Sequence, residues 1–180
     1  MKLRGQDILL LRMVRPTTHE IGGTFFLNEE GFVNDLALAG GGKCRDAQGN
    51  LLPGVTNCSV THPNGTVVFH THPRANRPSS SDLAVAIDAW PVRKYNLIFS
   101  PNGVWVYAPT SNLIESVRRM EPDDRRRLVK AWRWSGHMFQ PATQQGDCDG
   151  FCRFLATEGF RAHYIPYDTV QRDTVYPIPF

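Results

Sequence analysis

The 180-residue sequence contains no long hydrophobic run. A membrane-spanning helix needs roughly 20 consecutive apolar residues, whereas the apolar stretch at residues 8–11 is soon interrupted by Arg12 and Arg15. That stretch is also too short for a signal peptide, and no clear cleavage site follows it. We therefore expect no membrane partner and a cytoplasmic location, with secretion by a signal-independent route as the alternative.

Cysteine is scarce as well. The sequence has only Cys44, Cys58, Cys148 and Cys152, which are widely scattered. A chain of this length can bury enough apolar surface to fold without disulfides as its main support. The sequence therefore predicts free thiols.

An excess of charge of one sign is also missing. The sequence has 20 Lys+Arg against 17 Asp+Glu, and its 41% hydrophobic and 21% charged residues are ordinary for a globular domain. This composition excludes global disorder, a collagen-like repeat and a coiled coil. The most basic stretch, at 125–133, follows Glu121, Asp123 and Asp124, which weaken its attraction for phosphates. We expect no nucleic-acid partner.

Hydrophobic periodicity and turn residues predict an α+β fold with a mixed, mainly antiparallel sheet. Alternating apolar residues predict strands at 21–27, 32–38, 58–61, 66–70, 95–99 and 104–107. Apolar residues at helical spacing predict helices at 82–90, 112–120, 123–134 and 146–159. Because strands dominate the first part, we predict a core at 1–110 and a helical C-terminal extension at 111–180 packed on that core.

Two histidines on a predicted strand form a candidate metal site. His70 and His72 are two residues apart, so their side chains point to the same face of an extended chain. Asp82 begins the next predicted helix, after a loop that contains prolines. Two histidines and one aspartate are three ligands for a tetrahedral Zn²⁺ whose fourth position is left for water, as in catalytic zinc sites.

Hydrolysis at such a site also needs a general base and a group that stabilises an oxyanion. Glu20, at the start of the first predicted sheet strand, is our candidate for the base. Glu29 and Glu30 lie in a predicted turn and are weaker candidates. Ser79 precedes the predicted helix and is our candidate for the oxyanion stabiliser.

These residues resemble the motif of the JAMM/MPN (JAB-domain) zinc metalloproteases. The family pattern is a glutamate on an early strand, then His-x-His-Pro, then Ser-x-x-Asp, which here corresponds to Glu20, His70 to Pro73 and Ser79 to Asp82. The resemblance covers roughly residues 15–110. It implies a JAB/MPN-like core with cytidine-deaminase-like layering, His70, His72 and Asp82 as zinc ligands, and Glu20 and Ser79 as catalytic residues.

The resemblance also implies a substrate class. Many members cleave isopeptide bonds at the tails of ubiquitin or ubiquitin-like proteins, and other relatives act on peptide or carrier-protein bonds. We therefore predict a zinc-dependent peptidase or isopeptidase with a protein or peptide substrate. The alternatives are a non-catalytic MPN-like scaffold and a metal-dependent nuclease or phosphoesterase, although the latter ordinarily needs more carboxylates for a second metal.

Other cysteines and histidines receive a structural interpretation. Cys148 and Cys152 are four residues apart on a predicted helix, and we interpret them as half-buried thiols. A cysteine nucleophile with His163 and a second zinc site that adds His137 are the alternatives. His62 and the glycine run at 40–42 are interpreted as loop residues.

Overall fold

The computed structural model describes residues 1–39, 66–138 and 145–180. These residues form β1 (Lys2–Arg4), α1 (Gly5–Val14), β2 (Gly22–Leu27), β3 (Val33–Ala39), β4 (Val67–Thr71), α2 (Ser80–Asp88), β5 (Tyr95–Phe99), β6 (Gly103–Pro109), α3 (Ser111–Arg118), α4 (Pro122–His137), α5 (Gln145–Thr157), β7 (Phe160–Pro166) and β8 (Val175–Pro177). A short 3₁₀ turn, Tyr167–Thr169, connects β7 to the final segment.

Six of these strands form one sheet, in the order β3-β2-β4-β5-β6-β7, while β1 pairs with β8. In the sheet, β4 and β5 are parallel and the other neighbouring pairs are antiparallel. The sheet is therefore mixed and mostly antiparallel, and the predicted α+β class is confirmed.

The parallel pair β4 and β5 determines where α2 lies. Parallel neighbours cannot be joined by a tight turn, so the chain leaves the carboxyl end of β4, forms α2 and crosses back to the end of the sheet where β4 began, to start β5 there. The carboxyl end of β4 and the first turn of α2 therefore lie at one edge of the sheet. In sheets with such crossovers, ligands commonly bind at this edge.

Side chains of the sheet alternate between two apolar clusters, one on each face. The first cluster joins sheet residues to α1; its members include Ile8, Leu11, Val67, Phe69, Leu97, Phe99, Val104 and Val106. The second joins the opposite face to α2, α4 and α5; its members include Leu83, Ile87, Ile98, Trp105, Tyr107, Trp132, Phe151 and Leu155. The helices thus form layers on both faces of the sheet.

Residues 111–180 contribute more than helices. The segment contains α3, α4 and α5, but it also supplies β7, which pairs with β6 from Gly103↔Pro166 to Pro109↔Phe160. Every residue of β6 is buried, and β7 covers the backbone of its second edge. Residues 111–180 are therefore not only the helical extension that we expected, because β7 belongs to the same sheet as the strands of residues 1–110.

Most predicted elements occur within a few residues of their expected bounds, including the hairpin of β5 and β6. The predicted strand at 58–61, the glycine run at 40–42, Cys44, Cys58 and His62 lie outside the described residues. Within the described residues, Cys148 and Cys152 are free thiols. None of the helices described is long and apolar enough to cross a membrane.

Candidate metal site

His70, His72 and Asp82 meet at the carboxyl end of β4. His70 lies in β4, and His72 follows directly after the strand ends at Thr71. Asp82 lies in the first turn of α2. The loop between Pro73 and Ser79 thus brings the aspartate back to the two histidines, as the sequence predicted.

The three side chains direct their ligand atoms to one point. The Nε2 atoms of His70 and His72 are 3.0 Å apart. Asp82 places Oδ1 at 3.3 Å from His70 Nε2 and Oδ2 at 3.4 Å from His72 Nε2. Among the described residues, these three form a group that could hold a metal ion.

The site is shielded but open to solvent at its rim. The side chains of His70, His72 and Asp82 are 14%, 6% and 18% exposed. Burial alone would lower the pKa of His70, but the charge and hydrogen bond of Asp82, together with the charge of Glu20, raise it. Burial alone would raise the pKa of Asp82, but His70 and His72 hold it well below its usual range. The carboxylate is therefore ionised, as a metal ligand must be.

The start of α2 fixes the position of Asp82. Ser79 is the N-cap: its Oγ accepts a hydrogen bond from Asp82 N at 3.2 Å, and Asp82 Oδ2 accepts one from Ser79 N at 2.7 Å. This reciprocal pair is a capping box, which satisfies amide donors that a helix start otherwise leaves unpaired. One carboxylate therefore both caps the helix and faces the histidines.

Glu20 lies beside the histidines because β2 runs antiparallel to β4. Gly22 is opposite His70, so continuing the same register by two residues places Glu20 opposite His72. The nearby charge of Glu20 also contributes to the raised pKa of His70. By contrast, Glu29 and Glu30 lie in the turn between β2 and β3, beyond the other end of β2.

Thr71 joins the segment of Glu20 to the histidine strand. Its amide donates to Ile21 O at 2.8 Å, and its Oγ1 accepts from Ile21 N at 3.0 Å. Thr71 is fully buried, and as the residue between the two histidines it points to the opposite face of the strand. The strand that orients both imidazoles therefore also fixes the backbone next to Glu20.

Sequence reasoning did not identify the residues that hold the loop after His72. Arg15 Nη1 donates to the carbonyl oxygens of His72 at 2.9 Å and Pro73 at 3.1 Å. Trp105 Nε1 donates to the carbonyl oxygen of Asn76. Backbone carbonyls carry no side-chain signal, so no motif in the sequence could have indicated these contacts.

The cysteine region does not form a second ligand group among the described side chains. Cys148 is buried and contacts Tyr164, and burial raises its pKa to about 11. Burial also raises the pKa of Cys152 to about 12 and lowers that of His163. A thiol that resists ionisation is a poor nucleophile. The side chain of His137 lies outside the described residues.

No family model, curated protein or solved structure matches the chain. The resemblance to the JAMM/MPN family therefore stays a prediction based on the motif residues. The chemistry of this site has to be argued from its own geometry.

Proposed function

We propose that the protein is a zinc-dependent peptidase or isopeptidase of the JAMM/MPN type. The observation that carries the proposal is the convergence of His70, His72 and Asp82 on one point, next to Glu20. The order of motif residues along the strand, loop and helix supports the same reaction class. This combination of metal ligands and a base suits hydrolysis of an amide bond in a polypeptide.

The donor set and its dimensions favour zinc. Zinc is bound by imidazole nitrogen and carboxylate oxygen at about 2.0–2.2 Å, so neighbouring ligands of a tetrahedral site are about 3.3–3.6 Å apart. The Nε2 atoms of the two histidines lie 3.0 Å apart, and each lies 3.3–3.4 Å from a different oxygen of Asp82. The three groups are therefore close enough together to share one zinc ion. Three protein ligands leave a fourth position for water or substrate, which is typical of catalytic zinc.

Glu20 is the proposed general base and acid. A bound zinc ion would lower the pKa of a water molecule and polarise the scissile carbonyl. Glu20 would accept the proton of the attacking water and deliver it to the leaving nitrogen, which completes the exchange of one proton. Its expected position opposite His72, next to Ile21, which bonds to Thr71, would keep the carboxylate beside the proposed metal ligands.

Ser79 is the proposed oxyanion stabiliser. Its Oγ accepts the amide proton of Asp82, which leaves the hydroxyl proton available, because a hydroxyl can accept and donate at the same time. Ser79 is exposed and is linked by two hydrogen bonds to the proposed ligand Asp82. A donor near the substrate carbonyl would stabilise the charge that develops there.

Metal analysis is the first test of this proposal. We expect about one equivalent of zinc per chain in the purified protein and none in a His70→Ala/His72→Ala variant. His163→Ala is the matched control, because His163 is a half-buried histidine on β7 that belongs to no ligand group in the described residues. A wild-type protein that binds no zinc would contradict the proposal.

Peptide and isopeptide hydrolysis, including that of ubiquitin-like substrates, is the second test. We expect Glu20→Gln to lower kcat by about 10²–10⁴-fold while zinc content stays the same. Glu29→Gln, in the distant turn, should leave kcat unchanged. Bound zinc without any hydrolysis would favour the scaffold alternative. Cleavage of RNA or DNA that is lost in His72→Ala would favour the nuclease alternative.

A further inference from the structure

Two adjoining cavities lie along α2, α3 and α4, and the smaller one reaches the proposed active site at Ser79. The smaller, of about 290 Å³, is lined by Ser79 next to the metal ligands and reaches Arg133 on α4. The larger, of about 890 Å³, extends between α3 and α4. Ser80, Ser81 and Arg133 line both. We call the two cavities together the basic groove.

The larger cavity is lined by cations and by no carboxylate. Its cations are Arg118, Arg125, Arg126, Lys130 and Arg133. Two of them are neutralised, since Arg125 pairs with Asp88 and Arg126 with Asp123. Lys130 and Arg133 pair with no carboxylate in the part of the chain that the structure describes, and Arg118 donates only to the Trp90 carbonyl oxygen at 3.4 Å. Three positive charges therefore remain available to a ligand.

The smaller cavity contains a buried arginine. Arg77 is only 9% exposed, and its Nη1 has no hydrogen-bond partner among the described residues. Its guanidinium lies over the ring of Phe151, 5.5 Å from the ring centroid. Arginine remains charged in proteins, and a buried charge without a counter-ion is costly. A carboxylate in this cavity would supply that counter-ion.

The groove also has an apolar part. Val117, Met120 and Val129 line the larger cavity together with the cations. A ligand that fits must therefore combine separate negative charges with hydrophobic groups. A polypeptide with acidic and apolar side chains meets this requirement.

We propose that the basic groove binds an acidic segment of the polypeptide that the neighbouring site cleaves. This inference rests on the proposed function for the identity of the occupant as a substrate. Ser79 lines the small cavity and caps the helix of Asp82, so a chain in the groove reaches the proposed oxyanion stabiliser, which is hydrogen-bonded to a proposed metal ligand. Arg77 would hold a carboxylate close to the scissile bond, and Arg118, Lys130 and Arg133 would hold others farther away.

The paired carboxylates favour a peptide over a nucleic acid. Asp88 and Asp123 lie beside the groove, where they hold Arg125 and Arg126. A continuous phosphate backbone is bound by neutralising many successive charges, and the two ion pairs interrupt the run of free cations that it would need. Separate glutamate or aspartate side chains can avoid the two ion pairs.

Fluorescence anisotropy with the full-length protein tests the proposal. The probe is a labelled peptide in which glutamates alternate with leucine and alanine, and its control has glutamine in place of glutamate. We expect the glutamate peptide to bind at least about ten-fold more tightly, and added salt to weaken its binding. Equal affinity for the two peptides would overturn the proposal.

Two double variants with the same change of charge locate the binding surface. We expect Lys130→Glu/Arg133→Glu to weaken binding of the glutamate peptide by at least about ten-fold. Arg119→Glu/Arg127→Glu is the control, because both side chains are 80% exposed and neither lines the groove; we expect less than about a two-fold change. Equal losses in the two variants, or an RNA oligonucleotide that binds the groove more tightly than the peptide, would overturn the proposal.

A separate arm distinguishes this inference from the proposed function. In the His70→Ala/His72→Ala background, the glutamate peptide should keep its affinity, since its binding needs no metal. A wild-type protein that binds zinc but does not bind the glutamate peptide would overturn the groove inference alone. Peptide binding without zinc or hydrolysis in the wild-type protein would contradict the peptidase and the substrate role of the groove together.

Discussion

The protein has two groups of potentially reactive side chains, and their surroundings differ. One lies at the carboxyl end of β4, and the other lies within the second apolar cluster. In the first, His70 and Asp82 are mutually stabilising charges at the carboxyl end of β4. In the second, Cys148 and Cys152 lie on α5 among apolar side chains, and burial is the main cause of their raised pKa values. The first cluster favours ionised groups, and the second suppresses them.

This difference shows that residue type alone does not identify a reactive site. An aspartate ligand or a cysteine nucleophile needs neighbours that stabilise its ionised form and access to solvent, and a histidine ligand must release its proton to solvent when the metal binds. The end of a strand beside a helix start provides both conditions. A helix face that packs into the core provides neither.

The most disruptive change to the first cluster should be Asp82→Asn. Asparagine can still accept the hydrogen bond from Ser79 N and so preserve the helix cap, but it removes the charged ligand. We expect zinc affinity, measured by competition with a chromophoric chelator, to fall by more than about 100-fold, beyond the effect typical of losing an outer hydrogen-bond partner. Asp88→Asn, on the exposed end of the same helix, should leave zinc affinity unchanged. An unaltered affinity in Asp82→Asn would show that the carboxylate is not a ligand.

The second cluster should resist alkylation. Burial raises the pKa of Cys148 from 9.0 to about 11, which lowers the thiolate fraction at pH 8 by about 100-fold, and alkylation proceeds through the thiolate. We expect iodoacetamide to modify Cys148 at least about 100-fold more slowly in the folded protein than in denaturant, as followed by mass spectrometry of the peptide. The folded rate should rise with pH up to about 11. Fast modification of the native protein at pH 8 would identify a reactive thiol and remove the contrast between the clusters.

A smaller effect should follow from Thr71→Val. Valine keeps the shape of threonine but leaves Ile21 N, now bonded at 3.0 Å to Thr71 Oγ1, without a partner. We expect a loss of about 1–3 kcal/mol in the free energy of unfolding and about a ten-fold lower kcat, because the segment of Glu20 loses a fixed point. Zinc content should not change, and Thr71→Ser should restore kcat. A Thr71→Val protein that is less stable but has normal kcat would make Thr71 a structural residue only.

Local sequence patterns predicted most of the helices, strands and turns, because each of these elements depends on residues that are close together in sequence. The turn between β2 and β3 contains Gly31, whose φ of +81° suits glycine, and Gly159 follows α5 with a φ of +88°. The role of β7 was not predictable in the same way. Phe160 to Pro166 is short and ends in proline, and its assignment depends on β6, which precedes it by three helices.

The candidate site shows the same difference between short-range and long-range signals. The two-residue spacing on a strand predicted that His70 and His72 face the same side, and the motif suggested that the loop after Pro73 brings Asp82 back to them. The proximity of Glu20 depends on the antiparallel register of β2 and β4, which its motif suggested but its spacing alone did not require. The contacts of Arg15 with backbone carbonyls and the buried guanidinium of Arg77 arise only once distant segments pack together.

The pairing of β1 with β8 has a consequence for the kinetics of folding. Lys2 lies opposite Pro177, so this small ribbon closes almost the whole chain into a loop. Contacts between residues far apart in sequence form slowly, because a long segment must first lose its freedom. The ribbon should therefore be absent from the folding transition state, and weakening it should accelerate unfolding while leaving the folding rate nearly unchanged.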